Sequence, residues 1–200
     1  MHIEKLFTTP VLQFNLNRQF TKEEQNVFLD NANSVNHSKT DNASSHVSTD
    51  KDVLNDNRMS EIKSFINQSI FKYKNDIMKV KSNCELYITE SWIVYLNNGE
   101  SVHQHNHPNS IISGVFYCND AEITFINEKR QIIWFDESEY NEFNSNEHKM
   151  KLKQGDLILF PSTLSHCVRP IEQEKTRMSL SFNTFVKGIV SEVKSKSLKI

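Results

Sequence analysis

Around Lys81 the spacing of apolar residues changes, and this change restricts the fold more than any other feature of the chain. Over residues 58–80 they recur three and four apart, at Met59, Ile62, Phe65, Ile66, Ile70, Tyr73, Ile77 and Met78. That is the stripe of an amphipathic helix with one face to bury. Beyond Lys81 the interval is two: Leu86, Ile88, Trp92, Val94 and Leu96 all stand on even positions. Alternation of this kind predicts a strand with that face on a core. Further strands are expected over 111–117, 121–126, 131–135, 157–160 and 176–185, the last with Met178, Leu180 and Phe182 on one face. Turn sequences separate them, at Asn97-Asn98-Gly99 and at Gln154-Gly155-Asp156.

Upstream, residues 6–14 read as a strand interrupted by Pro10. Thr21 precedes Glu24 by three positions, the spacing of a capping box, and predicts a helix over 21–31. Residues 33–52 are rich in Asn, Ser, Thr, Asp and His and read as a mobile loop that leaves His37 and His46 in solvent. Residues 136–148 form a second polar loop, and the tail from Lys187 reads as frayed or weakly helical. Two helices followed by a run of strands with short connections describe an antiparallel jelly roll buttressed by helices. The 200 residues suit one mainly-β domain. Within it, 1–82 supplies an N-terminal strand and the supporting helices, and 83–186 the β core.

Composition removes several function classes. A formal net charge of -2, with no basic cluster, argues against nucleic acid. No apolar run is long enough to span a bilayer, and Met1-His2-Ile3-Glu4-Lys5 has no signal-peptide core, so a cytoplasmic location is expected. Cys84, Cys118 and Cys167 are odd in number and lack CxxC spacing, which predicts reduced, half-buried thiols.

The chemistry is concentrated in His103-Gln104-His105-Asn106-His107-Pro108. Alternate residues of a strand share a face, so two or three of these imidazoles can converge on one divalent metal. A surface loop in an Asn- and His-rich stretch is the competing reading. A fourth histidine, His166, follows the apolar strand 157–160, and Arg177 lies eleven residues beyond it. Three such ligands leave positions open on the metal, which suits oxygen chemistry on iron or water activation on zinc. Arg177 sits among alternating apolar residues, and no carboxylate shares its parity: Lys175, Ser179 and Ser181 do. An inward guanidinium there fits a ligand carboxylate; a surface ion pair is the alternative.

With these residues in place the chain resembles the Fe(II)/2-oxoglutarate-dependent dioxygenases. His166-Cys167-Val168-Arg169-Pro170, followed by Arg177-Met178-Ser179, looks like the histidine-to-arginine segment of the prolyl-hydroxylase-like members. The chain is similar in more detail to a 2OG-Fe(II) oxygenase family of marine bacteria and their phages. That likeness runs through Leu6-Phe7-Thr8-Thr9-Pro10, Ser91-Trp92, His105-Asn106-His107-Pro108-Asn109-Ser110, Ser113-Gly114-Val115-Phe116-Tyr117, Leu159-Phe160-Pro161-Ser162 and Ser181-Phe182-Asn183.

The resemblance implies a double-stranded β-helix with Fe(II) as cofactor and 2-oxoglutarate as cosubstrate. His105 matches the first metal histidine and His166 the distal one. His107 stands where most members carry Asp or Glu, which leaves the site one negative charge short, and His103 is the other candidate third ligand. Arg177 matches the arginine that grips the far carboxylate of 2-oxoglutarate. Tyr117 and Tyr95 match cosubstrate tyrosines, and Ser179 would add a hydroxyl. The implied reaction hydroxylates a small-molecule or peptidyl substrate with O2 and releases succinate and CO2, with loops 33–52 and 136–148 bordering the substrate. Two other readings compete: a cupin-like three-histidine metalloenzyme without 2-oxoglutarate, and a non-catalytic jelly-roll binding protein. Exposed edge strands would also allow a homodimer.

Overall fold

The structure, a computed structural model, describes residues 2–40, 43–80, 83–128, 138–191 and 198–199. Strand β1 (Leu12–Asn15) opens the chain, followed by helix α1 (Lys22–Ala32). Both halves of the capping box form: the Thr21 hydroxyl accepts from the Glu24 N–H, and the Glu24 carboxylate accepts from the Thr21 N–H. Strands β2 (Val35–Thr40) and β3 (Ala43–Ser48) come next, then helix α2 (Ser60–Lys72), which runs into a π-helical turn at Tyr73–Ile77. The β core comprises β4 (Cys84–Leu96), β5 (Val102–His105), β6 (Ile112–Tyr117), β7 (Ala121–Ile126), β8 (Glu147–Leu152), β9 (Asp156–Pro161), β10 (His166–Val168), β11 (Arg177–Ser191) and β12 (Leu198–Lys199).

The strands form two sheets. The larger runs β1-β9-β6-β11-β4-β3-β2, with β12 beside β11; the smaller runs β5-β10-β7-β8. Successive strands β6 and β7 fall in different sheets, so the chain folds over between them, as in a jelly roll. The large sheet is buried on both faces. One face meets α1 and α2 through Phe116, Leu157, Leu159, Leu180, Phe182, Ile93 and Tyr95, packed on Val27, Phe28, Ile62, Ile66 and Ile70. On the other face Val115, Tyr117, Ile158 and Phe160 meet Ile123, Phe125 and Leu152 of the small sheet. This second layer is the barrel interior.

Gly114 shows how tightly the helix-side layer is packed. It pairs with Phe182 across β6 and β11, and a Cβ on it would lie 2.1 Å from the Phe182 ring. Gly114→Ala is therefore expected to destabilise the fold by about 1–3 kcal/mol, the usual cost of overpacking a core. Chemical denaturation reads this directly; an unchanged midpoint would mean that Phe182 is not seated against the glycine.

Several expectations need correction. Of the expected 6–14 strand only residues 12–14 form, within β1 (Leu12–Asn15). Leu6 and Phe7 are exposed, and Phe7 has a left-handed φ of 57°, which breaks an extended run. The expected loop 33–52 contains the β2–β3 hairpin, which joins the sheet through His46–Tyr95 and Val47–Val94. Strand β2 is an edge strand, paired on one side only, so its composition need not carry the alternation of a buried strand. Strand β8 takes Glu147 and His148 from the second expected loop. The expected frayed tail begins as strand, since β11 continues to Ser191. The expected strand 131–135 lies outside the described residues. The three cysteines are free and fully rather than half buried.

Strand β4 does not present one even-numbered face. Thr184 pairs with Ile88, yet Asn183 pairs with Glu90, so Thr89 is an extra residue in the ladder. A bulge of this kind exchanges the faces beyond it. Leu86 and Ile88 pack toward the helices, whereas beyond the bulge Ile93 and Tyr95 do so. Trp92 and Val94, opposite Ser181 and Ser179, turn to the barrel interior. Among the described residues no helix is long and apolar enough to cross a membrane.

Candidate metal centre

His105 ends β5 and His166 begins β10, and the two are direct cross-strand partners. Strand pairing thus brings together residues sixty-one positions apart; their ring centroids are 4.4 Å apart. His107 follows β5 by two residues. Its backbone N–H donates to the Ser162 carbonyl, and Asn109 turns the chain with a left-handed φ of 60°, a conformation Asn tolerates. The His107 ring lies 5.1 Å from that of His105 and 5.2 Å from that of His166. One nitrogen from each of the three falls within 4.8 Å of the others, and among the described residues no carboxylate joins the group.

The rings are oriented for ligation. The Nδ1 of His105 is 2.8 Å from the His103 carbonyl, and the Nδ1 of His166 is 2.9 Å from the Leu164 carbonyl. A carbonyl only accepts, so each Nδ1 carries the proton and each Nε2 keeps its lone pair. Metal-binding histidines are commonly fixed in this way by an outer acceptor. His166 is 4% exposed, with Phe160 edge-on to its ring at 4.9 Å.

Burial first, then the neighbouring imidazoles, push His166 down to about 3 and His107 down to about 4. Burial lowers His105 as well. All three are therefore neutral at neutral pH, the form that ligates. In the unfolded chain they titrate near 6.5, so between there and about 3 the unfolded state binds more protons. The stability they confer is complete above 6.5 and is lost as pH falls through that window. Metal-free protein is expected to show a falling Tm between pH 7 and 5, before the carboxylates of Glu24 and Glu147, ordinarily near 4.5 and lowered here, begin to matter. A flat Tm over that range would contradict the burial of the three rings.

A second polar group occupies the same interior. Arg177 is 2% exposed and shares its strand face with Ser179, whose hydroxyl accepts from Arg177 Nη1 at 3.1 Å. Tyr117, opposite Ser179 on β6, lies with its ring 5.5 Å from the guanidinium carbon. Burial lowers Arg177 from its ordinary value, against the pull of Tyr117 and Cys118, and raises the Tyr117 phenol. Among the described residues, Arg177 Nε and Tyr117 Oη are both buried without a hydrogen-bond partner. Tyr117 also belongs to the apolar cluster of Phe125 and Phe160, which pack on His166, so the two polar groups share one interior.

Two expected residues stand elsewhere. Tyr95 faces the helices, donating its hydroxyl to the Phe28 carbonyl at 2.6 Å, because the β4 bulge sets its parity. His103 is exposed and outside the histidine group. Two features went unassigned a role in the sequence. Trp92, turned inward by the bulge, sits 6.0 Å from the His107 ring, with the Lys51 ammonium 5.7 Å from its own ring. A hydrogen-bonded chain, Ser110–Ser162–Ser113–Asn183–Glu90, ties the turn after His107 to β9, β6, β11 and β4. All its members but Glu90 fall in the family-like blocks, but only the three-dimensional register links them.

Residues 90–183 match the family described as "Putative 2OG-Fe(II) oxygenase". No curated protein matches the chain. Solved structures share the fold at low identity. A Pseudomonas putida prolyl-4-hydroxylase is 14% identical with a TM-score of 0.55, over 89% of this chain and 94% of that one. HygX from Streptomyces hygroscopicus, with nickel and 2-oxoglutarate bound, is 10% identical with a TM-score of 0.59, over 88% and 83%. A prolyl hydroxylase in complex with a hypoxia inducible factor peptide fragment, from Trichoplax adhaerens, is 13% identical with a TM-score of 0.58, over 88% and 83%. Over residues 90–183, then, this chain is similar to the 2OG-Fe(II) oxygenases.

Proposed function

We propose that His105, His107 and His166 hold Fe(II), that Arg177, Tyr117 and Ser179 hold the far carboxylate of 2-oxoglutarate, and that the enzyme hydroxylates a small-molecule or peptidyl substrate. The observation that carries this reading is the pair of buried, unpartnered donors, Arg177 Nε and Tyr117 Oη, in the same interior as the histidines. Buried polar groups are normally paired, and a guanidinium especially so. One carboxylate oxygen pair would satisfy both donors at once.

When bound, iron with 2-oxoglutarate and O2 supplies the oxidising chemistry, converting the cosubstrate to succinate and CO2 as the substrate gains a hydroxyl. The chain supplies position and environment. His105 and His166 present Nε2 because their Nδ1 protons are engaged. Phe125 and Phe160 form an apolar wall behind His166 that keeps water from that side. Imidazole in place of a carboxylate at His107 would leave the metal site with one more positive charge, which would favour an anionic cosubstrate. Trp92 and Lys51 border the site beside His107. Tyr140, Asn141, Glu142 and Ser145 line an open cleft with residues 163–165, immediately before His166, and form the approach for substrate. The peptide bound to the Trichoplax neighbour is a precedent for a peptidyl substrate.

Anaerobic titration tests the reading. Fe(II) followed by 2-oxoglutarate should produce a weak visible charge-transfer band. Metal binding without that band would favour the three-histidine enzyme that uses no 2-oxoglutarate, a reading that leaves Arg177 and Tyr117 without a role.

A further inference from the structure

A second cluster of metal-binding side chains lies outside the barrel, on the hairpin that the sequence reads as a loop. His37 of β2 and His46 of β3 are direct cross-strand partners. Their rings stack with centroids 4.7 Å apart and 21° between planes. Glu100, just past the Asn97–Gly99 turn after β4, places a carboxylate oxygen 3.3 Å from His46 Nδ1. One donor atom from each of the three lies within 4.8 Å of the others. We propose that His37, His46 and Glu100 form a second divalent-cation site of the zinc type, independent of the barrel.

The donors are held in place by the fold. The Glu100 oxygen that faces His46 also accepts the Asn97 N–H at 2.7 Å, which fixes the carboxylate. Gly99, with φ of 80°, makes the turn that brings Glu100 round. The Ser101 N–H donates to the Ser44 carbonyl, locking the turn against β3. The Ser44 hydroxyl meets His37 Nε2 at 2.7 Å and sets the orientation of that ring. The Glu100 side chain is 16% exposed and that of His46 28%, so the carboxylate has given up much of its water.

An ion pair alone does not account for this arrangement. If His46 carries a proton for Glu100, the His37 ring stacked on it gains nothing from the charge. A cation shared among two neutral imidazoles and a carboxylate uses all three. Two nitrogens and one oxygen suit zinc, with water completing a tetrahedral shell. The ligands come from two separate elements, the β2–β3 hairpin and the β4–β5 connection. The ion would therefore fasten the edge of the large sheet to the segment that leads into β5 and His105.

The test is calorimetric titration of the full chain with Zn2+ in the His105→Ala/His166→Ala background, which removes the barrel ligands. One equivalent should remain, and its binding should raise Tm. His37→Ala and Glu100→Gln, each added to that background, should weaken it by more than the roughly 10-fold that loss of an outer partner of a ligand costs. No remaining equivalent, or one that neither change affects, overturns the proposal and leaves an ordinary His46–Glu100 ion pair. Should the background variant fail to fold, wild-type stoichiometry decides: two equivalents falling to one in His37→Ala supports the site, and no change removes it. Fe(II) binding in the barrel is read separately, with His37→Ala expected to leave it intact.

Discussion

His166→Ala is expected to abolish stoichiometric Fe(II) binding. The side chain is buried at the start of β10, with its ring between Phe160 and His105 and its Nδ1 proton committed to the Leu164 carbonyl. Removing it leaves His105 and His107, both from one short stretch, and a two-ligand site on so mobile an ion as Fe(II) does not retain it against water. His105→Ala and His107→Ala should have the same effect, measured by equilibrium dialysis under anaerobic conditions, with circular dichroism to show that each variant folds. His103→Ala should bind iron normally, since its exposed side chain stands outside the cluster. If His103→Ala is damaging and His107→Ala is not, the third ligand has been placed four residues too far along the chain.

Arg177→Met should weaken 2-oxoglutarate binding roughly 30- to 150-fold while leaving Fe(II) binding nearly intact. The magnitude follows from losing one charge-assisted, bidentate contact, about 2–3 kcal/mol. Arg177→Lys should recover only part of it, because an ammonium is a point charge and cannot form the fork. Tyr117→Phe, which removes a single neutral donor, should cost less than either. The same change separates a ligand-binding role from a structural one. Among the described residues Arg177 has a serine hydroxyl and an aromatic face as partners, and Nε has none. A buried charge so poorly paired is a burden on the free protein, so methionine should leave its stability unchanged or higher. If Arg177→Met unfolds the chain while wild type shows no affinity for 2-oxoglutarate, the guanidinium is structural and the cosubstrate reading fails.

The fold was legible wherever a face is buried. The stripe from Met59 to Tyr73 and the alternation of Met178, Leu180 and Phe182 exist because the helix layer and the large sheet must bury them against each other. Local chemistry was equally readable: Thr21 and Glu24 form their capping box within four residues. Edge strands were not legible, because β2 is paired on one side only, which leaves its side chains free to be polar. His37 and His46 therefore passed as loop residues, although their pairing across the hairpin stacks the rings.

By itself the sequence determined the two helices, the run of strands beyond Lys81, the type of fold, and the short list of histidines and the arginine that chemistry could use. Those follow from side-chain periodicity and residue type, which are local properties. Only the tertiary structure decided which of them meet. One bulge residue, Thr89, sends Tyr95 to the helices and Trp92 toward His107. The register of β5 against β10, rather than any spacing in the chain, puts His105 beside His166 and leaves His103 outside. The face that a strand residue occupies changes completely with a single-residue shift, and that shift is set by partners far away in sequence.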